Sequence, residues 1–143
     1  MKEINAFQGD YRWLSNFWHA PIVIGGWTWE SNEHAYQAAK SLDPKDWQLI
    51  QNQRSASYAK VYGSKVTIRE DWNDIKLAVM AELTAAKYDQ NPDLKAKLMA
   101  TKGVMLVEGN HWGDTFWGVD LRVGGSGMGL NHLGRIIMDY RDR

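Results

Sequence analysis

The segment Ser31-Asn32-Glu33-His34-Ala35-Tyr36-Gln37-Ala38-Ala39-Lys40 carries a carboxylate, a phenol, an amide and an amine at helical spacing. At about 100° per residue, Glu33 and Lys40 fall within about 20° of one another, and Tyr36 and Gln37 lie beside them. Ala35, Ala38, Ala39 and Leu42 supply most of the apolar side. Such a face can hold a carboxylate for acid–base work next to an amine that orients it or binds an anion. It also fits a solvated helix face, and Glu33 suits a positive helix end in any case.

Two further stretches carry chemistry. Glu108-Gly109-Asn110-His111-Trp112-Gly113-Asp114-Thr115-Phe116-Trp117-Gly118 puts acids, a histidine and two tryptophans in a glycine-punctuated loop after an apolar run. Acids can steady a cation there and Trp can stack on a base. The same residues also describe a tight loop with Trp anchors in the core. The cluster Gly124-Gly125-Ser126-Gly127-Met128-Gly129 precedes an amphipathic segment. Consecutive amides and a helix N-terminus can cradle a phosphate, with Asn131, His132 and Arg135 alongside. It lacks the Lys-Ser/Thr ending of a P-loop, and a mobile loop is the alternative. The four histidines offer no close pair at metal-ligand spacing, so no metal and no cofactor is expected. No nucleophile-elbow motif supports a Ser/His/Asp triad.

The elements that must position these residues are legible in outline. Residues 4–8 read as a short strand. Pro21–Ile24, Gly25-Gly26 and Trp27–Glu30 read as a hairpin, because two glycines supply the positive φ of a tight turn. Ser31 caps a helix through about Leu42. Pro44 opens another over 44–53, and a short one covers 55–62. Over 70–89, Trp72, Ile75, Val79, Met80, Leu83 and Ala86 share one stripe. Pro92 begins a helix through about Thr101. Val104–Glu108 reads as a buried strand and 109–129 as loop. Leu130, Leu133, Ile137 and Tyr140 mark a last amphipathic helix. The class is α+β: predominantly helical, with a small sheet.

The chain has 143 residues, 44% hydrophobic and 24% charged, which fits one globular domain over 1–143. Lys+Arg and Asp+Glu are both 17, so no global basic field holds nucleic acid non-specifically. Cysteine is absent, which excludes disulfides and thiol chemistry. No apolar run approaches the ~20 residues of a membrane span, and the N-terminus lacks a signal-peptide core, so a cytoplasmic location is expected. Eight of the 17 aromatics are Trp, a residue suited to pockets as well as cores.

Taken together, several motifs resemble the NADAR superfamily of YbiA-like proteins. They are Trp13-Leu14-Ser15-Asn16-Phe17, Ala20-Pro21-Ile22, and Trp29-Glu30-Ser31-Asn32-Glu33-His34-Ala35-Tyr36-Gln37-Ala38-Ala39-Lys40. In order follow Asp71-Trp72-Asn73, Leu106-Val107-Glu108, Asp114 ahead of Phe116-Trp117-Gly118, and Gly129-Leu130-Asn131 running into Leu133-Gly134. The likeness covers nearly the whole chain. It departs at His132, where a relative has Arg, and in the loop 124–129, which is richer in Gly and has no basic residue.

The resemblance implies an N-glycosidase that cleaves a bond between a ribose and a base. Its substrate would be phosphoribosylamino-pyrimidine intermediates of riboflavin synthesis, or ADP-ribose on guanine in nucleic acid, where it would oppose an ADP-ribosyltransferase. It implies importance for Glu33, Trp72 and Asp114, and Lys40 matches the family's motif lysine. Asn16, Tyr36, Trp117, Gly129 and Asn131 are expected on the substrate-binding side. Trp72 can stack on the base or pack in the core. Lys40 has two readings as well: a charge held on a phosphate or on Glu33, or an amine that attacks the ring-opened ribose. Glu33, Lys40 and Asp114 are expected to converge on one pocket. The alternatives are a non-catalytic ADP-ribose or nucleotide reader and a sugar-binding module using Trp platforms.

Overall fold

The computed structural model describes residues 2–122 and 128–143. Residues 124–127 of the glycine cluster, and the anion nest expected of them, lie outside the described residues. In chain order the elements are β1 (Glu3–Ile4), a 3-10 turn (Gly9–Leu14), β2 (Ile22–Ile24), β3 (Trp27–Trp29), α1 (Asn32–Ala39), α2 (Pro44–Gln51) and α3 (Ala56–Gly63). They continue with α4 (Trp72–Gln90), α5 (Pro92–Met99), β4 (Met105–Leu106), β5 (Gly109–Asn110), β6 (Val119–Asp120) and α6 (His132–Arg141). The class is α+β as expected, with three two-stranded sheets among the described residues in place of one small sheet. The chain divides into two compact units: residues 1–15 with 93–143, and residues 16–92.

In the unit of residues 16–92, β2 and β3 form an antiparallel hairpin with Val23 opposite Thr28. Gly25 and Gly26 turn it at φ 56 and φ 83, the left-handed region that glycine enters at little cost. Ser31 caps α1 as expected, accepting from the His34 amide at 3.2 Å. Its hydroxyl also meets His34 Nδ1 at 2.7 Å, while His34 Nε2 meets the Gln53 carbonyl at 3.0 Å. A carbonyl only accepts, so Nε2 carries the proton and Nδ1 accepts from Ser31. Asp43 and Ser55 cap α2 and α3 in the same way. The hairpin is latched to its neighbours by side-chain amides. Gln90 binds both the N–H and the carbonyl of Val23, at 2.7 and 3.0 Å, and Gln51 donates to the Thr28 carbonyl at 3.1 Å.

Two expectations about apolar stripes are corrected here. α1 ends at Ala39, so Leu42 falls outside it and stands 65% exposed. On α4 the buried arc is wider than the expected stripe: it takes in Thr84, Lys87 and Tyr88, whereas Ile75, Val79 and Ala86 are half-buried.

In the other unit, β1 pairs in parallel with β4, Ile4 opposite Leu106. The expected strands over 4–8 and 104–108 are each reduced to two residues. β5 and β6 also pair in parallel, within a stretch expected to be loop. Leu98, Leu106 and Ile137 are at most 2% exposed and form the core with Leu133 and Tyr140. Each such aliphatic side chain contributes roughly 1.5–3 kcal/mol by leaving water. Leu130, expected on this stripe, precedes α6 and is 52% exposed. Gly134 brings α6 against β4: a Cβ there would meet the Leu106 carbonyl and the Asn131 amide. Buried Arg141 then closes the end of the unit, donating to the carbonyls of Thr101 and Val104 at 3.0 and 2.7 Å.

Candidate active site

α1 carries the first half of the site. Its N–H at Glu33 donates to the Asn16 carbonyl at 3.0 Å, which brings Asn16 to the start of the helix. The Asn16 amide in turn reaches Met80 Sδ at 3.4 Å. Glu33 is 7% exposed, and its Oε2 accepts from Gln37 Nε2 at 2.6 Å. A buried carboxylate needs such a donor, because burial without one costs several kcal/mol. Gln37 is fixed from behind by α3: Gly63 packs so closely that a Cβ there would collide with the Gln37 amide.

Tyr36 and Trp72 meet at 5.2 Å between ring centroids and 59° between planes. Trp72 is 7% exposed, so it belongs to the core of its unit and at the same time to the wall beside α1. Lys40 Nζ lies 5.7 Å from the centre of the Tyr36 ring. Burial pushes the Lys40 ammonium below the ordinary lysine value; the Glu33 carboxylate pulls it back up, and the nearby Lys60 charge lowers it further. Lys60 itself sits over the Phe17 ring at 5.9 Å. The structure therefore brings Asn16, Glu33, Tyr36, Lys40 and Trp72 together.

The loop after β5 carries the second set. Asp114 Oδ1 accepts from the amides of Phe116 and Trp117 at 3.0 and 2.9 Å. Among the described residues no hydrogen bond engages its Oδ2. Buried Asn110 holds the loop from inside. Its Oδ1 accepts from the Asp114 amide at 3.0 Å, and its Nδ2 donates to the Asp114 carbonyl at 2.9 Å and to Glu108 Oε2 at 3.2 Å. Trp117 is half-buried and edge-on to Phe116 at 4.8 Å.

Gly129 and Asn131 shape this loop. At φ 149, Gly129 has no room for a Cβ, which would meet the Gly118 carbonyl. Asn131 takes the left-handed conformation at φ 52, and its amide bonds the Glu108 N–H at 2.9 Å and the Leu106 carbonyl at 3.0 Å. The expectation of a free helix N-terminus for a phosphate is corrected. The amides of Leu130, Asn131, His132 and Leu133 donate to the carbonyls of Thr115, Gly118, Phe116 and Trp117 at 2.8–3.2 Å. The opening turn of α6 is capped by the loop itself.

Four contributors carry no assigned role in the sequence reading. Gln37 was visible four residues after Glu33, the spacing at which helical side chains meet. Asn110 stood in the loop without a partner to mark it. Gly63 and Lys60 come from α3, and no local pattern ties them to α1.

A family model described as NADAR domain matches residues 5–143. The chain belongs to the NADAR domain family. It is 37% identical over 136 residues to N-glycosidase YbiA of Escherichia coli (strain K12), spanning 94% of this chain and 82% of that protein. The NMR structure of E. coli YbiA superposes with a TM-score of 0.85 at 35% identity, covering 99% of this chain and 83% of that one. A riboflavin biosynthesis protein of Vibrio vulnificus is 36% identical over 93% of this chain and 35% of its own length. The NADAR fold is thus shared across the full length of the motifs that first pointed to it.

Proposed function

We propose that this NADAR protein is an N-glycosidase that hydrolyses a bond between ribose and a base. The observation that carries the reading is the α1 constellation: a buried Glu33 held by Gln37, beside a partly desolvated Lys40 and the Tyr36–Trp72 pair. Its relatives named N-glycosidase support it. The favoured substrates are ADP-ribosylated guanine in nucleic acid and phosphoribosylamino-pyrimidine intermediates. The first would pair the protein with an ADP-ribosyltransferase. We further take residues 1–143 to act as one functional domain, in the cytoplasm. Among the described residues no helix is long and apolar enough to cross a membrane.

In hydrolysis the ribose C1–N bond breaks, and its electron pair goes to the base nitrogen, which takes up a proton. Water oxygen joins C1 and gives up a proton. Positive charge grows on the sugar in between, so an anion near it lowers the barrier. Glu33 takes that place in the proposal and receives the proton of the attacking water. For Asp114 the proposed role is proton donor to the leaving base; its Oδ1 is held by the loop amides. Tyr36 and Trp72 give the substrate an aromatic wall. Asn16, Trp117, Gly129 and Asn131 belong to the proposed substrate-binding set.

The experiment is to incubate the protein with guanine-ADP-ribosylated DNA, and separately with the pyrimidine intermediates, and follow products by mass spectrometry. Glu33→Gln keeps shape and removes charge, so turnover is expected to fall roughly 10²–10⁴-fold while the fold survives. Wild-type turnover by a folded Glu33→Gln protein would reduce this carboxylate to a helix-end residue.

A further inference from the structure

The side of α1 opposite its polar face borders a cavity of about 290 Å³ in the unit of residues 16–92. Ala35, Ala38 and Ala39 form one wall, and their small side chains leave the space open. The hairpin supplies Trp27 and Trp29, with rings stacked at 5.8 Å and 12°. Trp47 of α2 stands edge-on to Trp27, at 5.6 Å and 85°. Two indole surfaces thus meet at nearly a right angle. The corner is rigid: Trp47 Nε1–H is bound to the Ser41 carbonyl at 2.8 Å, and the hairpin is latched by Gln51 and Gln90.

Two charged residues reach the cavity, and they are not equivalent. Arg69 places Nε and Nη2 on the Asp71 carboxylate at 2.6 and 3.1 Å, so the pair presents no net charge. Glu82 of α4 lines the rim and is exposed. Among the described residues no hydrogen bond or ion pair engages its carboxylate. The cavity is therefore apolar, walled by indole faces, and negative at its mouth. None of the residues on the polar face of α1 lines it.

We propose that this cavity is a binding site for a flat aromatic organic cation. Its size is at the lower end of small-molecule sites, which are mostly apolar with a few placed polar groups. Indole faces attract cations through their quadrupole, and a carboxylate at the rim adds an opposite charge. An anion of the same shape meets Glu82 with the wrong sign. An occupant would lie behind the helix that carries Glu33 and Lys40, and the Arg69 N–H, which donates to the Lys40 carbonyl at 2.7 Å, links the two sides.

The test uses three probes that share one ring system: N-methylquinolinium, quinoline and quinoline-4-carboxylate, at a pH where quinoline is neutral. Each is titrated into the whole protein while the indole N–H resonances are followed by NMR. N-methylquinolinium is expected to bind roughly two- to thirtyfold more tightly than quinoline, with the carboxylate weakest. The largest shifts are expected at Trp27 and Trp47. Glu82→Gln, a change on the solvent side, is expected to remove the cation's advantage and leave quinoline binding intact. Equal affinities for the three probes, no binding of any, or shifts centred on Trp72 would overturn the proposal. Binding is read directly, so the result is independent of the hydrolytic activity.

Discussion

Lys40 shows how opposing effects at one residue resolve. The sequence places Glu33 one face-length away, which raises a lysine pKa, and leaves burial undecided. In the structure burial prevails and the pKa is lowered. The neutral amine is then populated at lower pH than in an ordinary lysine. A neutral amine can attack the aldehyde of a ring-opened ribose: a C–N bond forms, water leaves, and an imine results. The direct hydrolysis proposed above needs only the charge of Lys40, which Lys40→Arg keeps, whereas the imine route needs the amine, so a fall on the order of a hundredfold or more in this variant marks the imine route. On that route borohydride added during turnover traps a sugar adduct on the wild-type chain, seen as an added mass on Lys40. An active Lys40→Arg enzyme with no adduct would leave Lys40 a purely electrostatic role. The Glu33–Tyr36–Lys40 face was legible because all three residues lie on one helix, where spacing fixes direction. The Lys60 charge was not, because it arrives from another helix.

At the scale of elements, local chemistry wrote most of the helices and the hairpin. Ser31, Asp43 and Ser55 are caps, Pro44 and Pro92 are first-turn residues, and Gly25-Gly26 is a turn; each acts on its own neighbours. The parallel pairings of β1 with β4 and β5 with β6 join residues far apart in sequence, and two-residue strands leave no alternation to read. Glycines at helix contacts are similarly silent, and their substitution separates two cases. At Gly63 an added methyl meets the movable end of Gln37. Gly63→Ala is therefore expected to cost about 1 kcal/mol of stability, but to displace Gln37 from Glu33 and lower kcat. At Gly134 the obstacle is the backbone of β4, which cannot turn aside. Gly134→Ala is expected to be the more destabilising of the two, by roughly 1–3 kcal/mol in overpacking cost. Denaturant midpoints of both variants, with kcat for the first, check the contrast.

For the molecule as a whole, formal neutrality hides one costly charge. Lys87 is 2% exposed on α4, and burial lowers its pKa from 10.5 to about 7. Between those two values the unfolded chain holds a proton that the folded chain lacks, so this group makes stability rise with pH across that window. Below about pH 7 both states are protonated and the penalty is fully present. Lys87→Met keeps the stem and removes the amine. It is expected to stabilise the protein near neutral pH by roughly 1–3 kcal/mol and to flatten the profile above it. Urea midpoints across the pH series would show it, and an unchanged slope would be evidence against the burial penalty. Lys87 was invisible in the sequence because lysine ordinarily marks a solvent face, and here the buried arc of α4 extends past its apolar stripe.

The glutamines that latch the hairpin have a second consequence. A two-stranded ribbon has two open sides, and each exposes a row of amides and carbonyls that a foreign strand can use as a template. On one side, the Gln90 side chain takes both backbone groups of Val23 in the way a neighbouring strand would. On the other, Gln51 covers the carbonyl of Thr28, the residue paired with Val23. The Gln90 carboxamide is a one-residue imitation of a third strand. The ribbon is blunted at its midpoint, where a foreign strand would have to displace these side chains.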